Sequence, residues 1–158
     1  MRRFRAKDKL YQKVERLHRV EKVYFTPEKA NEILPRVKSL MERIIQKQVE
    51  VDSIRDEIEN LGNSGSSTRV YISKVAQLKA LSSELAELIS ELNSMGCLLK
   101  DIEMGLVDFP AIRLGEEVYL CWRIGEEKVD HWHSLYEGYA GRKKVFADEF
   151  IDVNELNS

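Results

Sequence analysis

The sequence predicts an α+β fold: a long antiparallel helical hairpin followed by a small antiparallel β-meander. Two observations predict it. Apolar residues recur at alternating four- and three-residue steps on either side of Gly62-Asn63-Ser64-Gly65-Ser66-Ser67, and after Gly96 the period switches to two, in short runs broken by Gly and Pro. With 158 residues, 43% apolar and 33% charged, the chain has the size and composition of one globular domain and of no disordered or fibrous class.

The expected boundaries are a basic arm at 1–23, a single domain at 24–145 with the hairpin at 26–95 and the meander at 97–142, and an acidic tail at 146–158. The net charge of −2 hides an asymmetry, since residues 1–22 carry nine Lys/Arg against three Asp/Glu while the remainder carries 16 against 24. Leu10, Val14 and Leu17 give the arm a short apolar face. Its clustered cations suit nucleic acid or an anionic surface, and the plainer reading is a solvated extension or a helix docked on its own body. Cys97 and Cys121 are too few for a disulfide framework, no apolar run follows the basic start as a secretory signal requires, and nothing approaches the ~20 apolar residues of a membrane span. A cytoplasmic protein with reduced thiols is expected.

Phe25-Thr26-Pro27-Glu28 is a helix start: Thr caps the orphan amides, Pro suits the first helical position and Glu complements the dipole. Ile33, Val37, Leu40, Ile44, Val51, Ile54, Ile58 and Leu61 then form a seam that Lys47 alone interrupts, giving a helix from Thr26 to Leu61 with a bend at Pro35. A second helix, Thr68 to Asn93, continues the rhythm with Tyr71, Val75, Leu78, Leu85, Ile89 and Leu92, and Ser82 as its polar gap. Antiparallel pairing sets Lys47 opposite Ser82 to Glu84, so a Lys47–Glu84 contact would fix the register. Leu34 and Met41 widen the start of one apolar face and Leu81, Leu88 and Met95 the end of the other, which predicts a buried hairpin base and a projecting tip.

Strands are expected at Cys97 to Ile102, Leu106 to Phe109, Ala111 to Leu114, Glu117 to Ile124 and Lys128 to His133, with turns at Met104-Gly105, Pro110, Gly115-Glu116 and Gly125-Glu126. Val118, Leu120, Trp122 and Ile124 share one face of their strand, and Tyr119, Cys121 and Arg123 the other. Both faces carry large side chains, so both are expected to be covered, one of them by the hairpin base.

The segments FTPEKANEILP, GLVDFPAI, EVYLCWRIGE, HWH and GYAGR, in that order, resemble a small family of uncharacterised prokaryotic proteins classed as a domain of unknown function. The resemblance spans Phe25 to Arg142. It implies no activity, substrate or cofactor. Lys143-Lys144 and the basic arm depart from the family's usual pattern.

The chemistry gathers in the meander. His131 and His133 lie two apart on a strand, hence on one face, and Cys121 in the neighbouring strand can share that side, which makes Cys121, His131 and His133 a candidate metal set. A nucleophilic Cys121 with His133 as base is the catalytic alternative, and Asp108 and Glu126 are the candidate general acids or bases. Arg142 and Arg123 are the candidate anion-binding groups. Gly138 to Lys144 is a turn with a basic pair; it lacks the spacing and the Ser/Thr of a phosphate-binding loop. The plain alternatives are a buried structural cysteine, an Asp108 that caps the turn at Pro110 and a solvated Glu126.

Two function classes fit. The first is a non-enzymatic protein-interaction module that uses the projecting hairpin, as a homodimer or with another protein, because Val51, Ile54, Ile58, Tyr71 and Val75 cannot all be sealed by one partner helix. The second is a small ligand- or metal-binding domain, or a hydrolytic one, with its site around Asp108, Cys121, Glu126, His133 and Arg142.

Overall fold

Thr26 and Pro27 open the first helix in the computed structural model, which describes residues 22–65 and 67–154. The basic arm predicted at 1–23 lies, but for its last two residues, outside them. In α1 (Pro27–Ser64) the Thr26 hydroxyl accepts the Lys29 N–H at 3.1 Å and Pro27 takes the first turn, where its missing donor costs nothing. The helix runs on through the exposed Pro35 to a left-handed Gly65. Ser67 caps α2 (Thr68–Ser94) by accepting the Val70 N–H.

The two helices pair in the register the seam predicts. Lys47 Nζ lies 2.8 Å from Glu84 Oε2 and, further out, Lys74 Nζ lies 2.7 Å from Glu57 Oε2. The base is sealed: Leu34, Val37, Met41 and Ile44 of α1 and Leu85, Leu88 and Leu92 of α2 join one core with the sheet. Burial stops at Ile54 on α1 and begins only at Leu85 on α2. A side chain added at Gly62 or Gly65 would meet nothing within 4 Å, as a projecting tip requires. Of the side chains expected to stay unsealed, Val51 and Ile54 are buried, because Val51 reaches the main core and Ile54 lies in the helix seam; Tyr71 is exposed, and Ile58 and Val75 are half-buried.

Five antiparallel strands follow in the order β1-β2-β3-β4-β5: β1 (Leu98–Asp101), β2 (Leu106–Arg113), β3 (Glu116–Arg123), β4 (His131–Ser134) and β5 (Lys143–Lys144). Val107, Phe109 and Ala111 of β2 face Trp122, Leu120 and Val118 of β3, and these six side chains turn to the hairpin base. Four sequence expectations need correction. Pro110 does not divide β2, because its carbonyl points away from β3 and accepts the Phe25 N–H at 2.7 Å, so its absent donor also faces away from the ladder. The β2–β3 turn is Leu114-Gly115, one residue earlier than expected, with both residues at positive φ as a two-residue hairpin demands. β4 starts at His131 and not at Lys128, because Asn31 of α1 takes the Val129 backbone, accepting its N–H at 2.8 Å and donating to its carbonyl at 3.0 Å. Lys143 and Lys144, read as a basic pair after a turn, form β5 against β4.

The tail segment 146–154 folds back along the end of β2: Leu114 N–H bonds the Glu149 carbonyl, Ile151 N–H bonds the Ile112 carbonyl, and Arg113 Nε meets Glu149 Oε2 at 2.6 Å. Leu114 sits at φ 48°, where a β-carbon is strained, and is 66% exposed, so its side chain contributes little packing in return. Replacing Leu114 by Asn should therefore raise stability by about 1 kcal/mol, read as a higher denaturation midpoint at unchanged slope.

Candidate functional site

The sheet face turned away from the hairpin carries the polar chemistry. Strand parity puts Asp108 of β2 beside Cys121 of β3, and Tyr119 of β3 beside His133 of β4. Asp108 and His133 are the buried charged or polar residues of the described chain, at 2% and 4% exposure. Their side chains meet, with His133 Nε2 3.0 Å from Asp108 Oδ2.

The orientation of the His133 ring follows from its partners. His133 Nδ1 lies 2.8 Å from the Ser134 carbonyl, which can only accept, so Nδ1 carries a proton. Nε2 then faces the Asp108 carboxylate oxygen. The Cys121 thiol, 1% exposed, has its sulfur within 4.8 Å of an Asp108 carboxylate oxygen; burial first, and then the Asp108 charge, push it up to about 12. Cys121 is thus a thiol at neutral pH, which removes the thiolate that nucleophilic attack by it needs.

Glu126 and Arg142 neutralise each other. The Arg142 guanidinium meets both Glu126 carboxylate oxygens, at 2.8 and 2.7 Å, and stacks over the Tyr139 ring at 4.7 Å. Glu126 also accepts the Arg123 N–H at 2.6 Å, closing the turn that leaves β3, and Arg123 reaches the Tyr139 hydroxyl at 3.2 Å. Arg142, Arg123 and Glu126 therefore hold the turn and the one-turn 3-10 helix Tyr139–Gly141 together. His131 pairs with Cys121 in register, yet its ring goes to Asp130, with Nδ1 2.8 Å from Oδ1.

Two sets of donor atoms come within 4.8 Å of one another: Asp108, Cys121 and His133, all buried, and Glu126, Asp130 and His131, all half-buried. The candidate residues thus divide, with His131 in the second set and Asp108 in the first. A cavity of about 240 Å³ opens beside the first, bounded by Tyr119, Lys100, Asp101 and Tyr139. Tyr139 and Lys100 were not among the sequence candidates. Lys100 lies over the Tyr119 ring at 4.8 Å, and Tyr119 in turn contacts the His133 ring.

Two measurements follow. Replacing His133 by Ala strands the Asp108 carboxylate in the interior and should cost roughly 3–5 kcal/mol in urea denaturation of the metal-free protein. Cys97 is also pushed up to about 12 by burial, so the folded chain keeps two thiol protons that the unfolded chain releases from pH ~8.5 upward. The folded state binds more protons in that window, and its stability should fall with rising pH by ~1.4 kcal/mol per unit for each thiol. In Cys121→Ser the slope should be about half as steep.

Neither a curated protein nor a solved structure matches the chain. One family's sequence pattern does, over residues 23–145, which takes in the whole hairpin, all five strands and both donor sets. The chain therefore belongs to the family described as an uncharacterized conserved protein, DUF2203.

Proposed function

We propose that this protein is an interaction module whose distal hairpin pairs with a second copy of the same chain. The observation that carries the reading is the charge division of that segment. Between residues 50 and 61, α1 has five acidic side chains and one basic, while α2 between 67 and 80 has three basic and none acidic. A two-fold pairing sets the acidic helix of each copy beside the basic helix of the other, a self-complementary arrangement. Val70, Tyr71 and Ile72 are 42%, 47% and 62% exposed on the basic helix and supply apolar area for such a contact. No helix among the described residues is long and apolar enough to cross a membrane, so this surface is not one side of a span. The buried free thiols Cys97 and Cys121 suit the reducing cytoplasm expected from the sequence.

A second reading, a ligand- or metal-binding domain, is favoured by the cavity beside Asp108 and His133 and is developed below. For the first, light scattering should give the mass of a dimer that falls toward the monomer as salt rises, since exposed charges are screened. Tyr71→Glu with Ile72→Glu should give a monomer with unchanged helical circular dichroism. A wild-type monomer at high protein concentration overturns the pairing.

A further inference from the structure

The geometry points to a zinc site formed by Asp108, Cys121 and His133, with its fourth position open to the adjoining cavity. The donors are a carboxylate, a thiol sulfur and an imidazole nitrogen, all within 4.8 Å of one another and all buried. Sulfur and nitrogen donors select a borderline cation such as zinc over magnesium or calcium, which prefer shells of oxygen.

Three features of this cluster bear on metal binding. The first is the orientation of His133: its Nδ1 proton is fixed on the Ser134 carbonyl at 2.8 Å, which aims the Nε2 lone pair at Asp108. Metal-bound histidines are held by this kind of bond from the other ring nitrogen to a carbonyl. The second is charge. Lone pair and carboxylate face each other across 3.0 Å, a spacing that a cation held by both can bridge. On binding, one dication displaces the Cys121 thiol proton and any proton held between His133 and Asp108; the displaced protons go to solvent, and zinc–sulfur, zinc–nitrogen and zinc–oxygen bonds form. The bound site is neutral, because the thiolate and carboxylate balance the ion's two charges, so binding leaves no net charge in a buried place. The third is access. All three residues line the cavity of about 240 Å³, which leaves room for a water or ligand atom at the fourth position, the arrangement of catalytic rather than structural zinc. The other donor set, Glu126, Asp130 and His131, already has the Arg142 guanidinium on its carboxylate and is half-exposed.

The test is a cobalt(II) titration of the untagged, chelator-treated full chain, with zinc added afterward. The expected result is one equivalent bound, a thiolate-to-cobalt charge-transfer band in the near ultraviolet, and loss of the band when zinc is added. Cys121→Ser is close in size, places a hydroxyl beside Asp108 and should fold, yet it should lose the band and weaken binding by ~100-fold or more. His131→Ala should keep both. Absence of the band in folded wild-type protein overturns the proposal, as does a band that survives Cys121→Ser or disappears in His131→Ala. His133→Ala is informative only where circular dichroism shows it folded; in that state, undiminished cobalt binding also overturns the site.

Discussion

The tie between Asn31 and Val129 is the constraint on which the arrangement of the outer sheet face depends. A single amide side chain accepts the Val129 N–H, donates to the Val129 carbonyl and bonds the Pro27 carbonyl one turn back on its own helix. Asn31 thus does for Val129 what a neighbouring strand would do, and it satisfies backbone groups that the core surrounds. With Val129 held against α1, β4 starts at His131, and its pairing with β3 puts His133 beside Tyr119 and one diagonal step from Cys121, whose partner on β2 is Asp108. A one-residue slip would send both histidines to the hairpin side and Trp132 outward.

The sheet accordingly separates two kinds of energy. Its inner face is apolar and packs on the hairpin base, with Phe109, Leu120 and Trp122 wholly buried and Phe25 set edge-on to Phe109 at 5.2 Å. Its outer face admits polar side chains in pairs: Asp108 with His133, Glu126 with Arg142, and His131 beside Asp130. The pairing decides which groups remain for a ligand. Arg142, the obvious cation for an anionic ligand, is occupied by two bonds to Glu126, and losing either partner would leave a charge without compensation.

Much of this was legible in the sequence where periodicity or parity governs. The seam rhythm gave the helix pairing down to Lys47 and Glu84, and the period of two put Cys121, His131 and His133 on one side. What escaped had other causes. Asn31 is an unremarkable polar residue in a helix until Val129 arrives 98 residues later. Pro110 reads as a strand breaker unless one knows that its donor side faces Phe25. His131 shares a face with His133, but the adjacent Asp130 captures its ring, a choice that strand parity does not encode. Tyr139 offered no pattern at all, and its place between Arg123 and Arg142 depends on a short 3-10 turn.

The hairpin and the outer face make separate demands on one core. The base of the hairpin must be rigid to hold Asn31 and thereby β4, while the distal half, with no buried residue on α2 before Leu85, is free to serve a contact without disturbing the sheet. Lys47 stands near the junction of these halves, bonded to Glu84 across the seam and to Glu50 on its own helix, and those two carboxylates raise its pKa. Its value lies in specificity, because exposed ion pairs add little stability but a register shift would separate Lys47 from Glu84 and Lys74 from Glu57 together. A slipped hairpin would also move Leu88 and Leu92 out of the core they share with Val37 and with Leu34, the latter one turn along α1 from Asn31. The seam that gives the hairpin its register thus also keeps in place the end of the helix that carries Asn31.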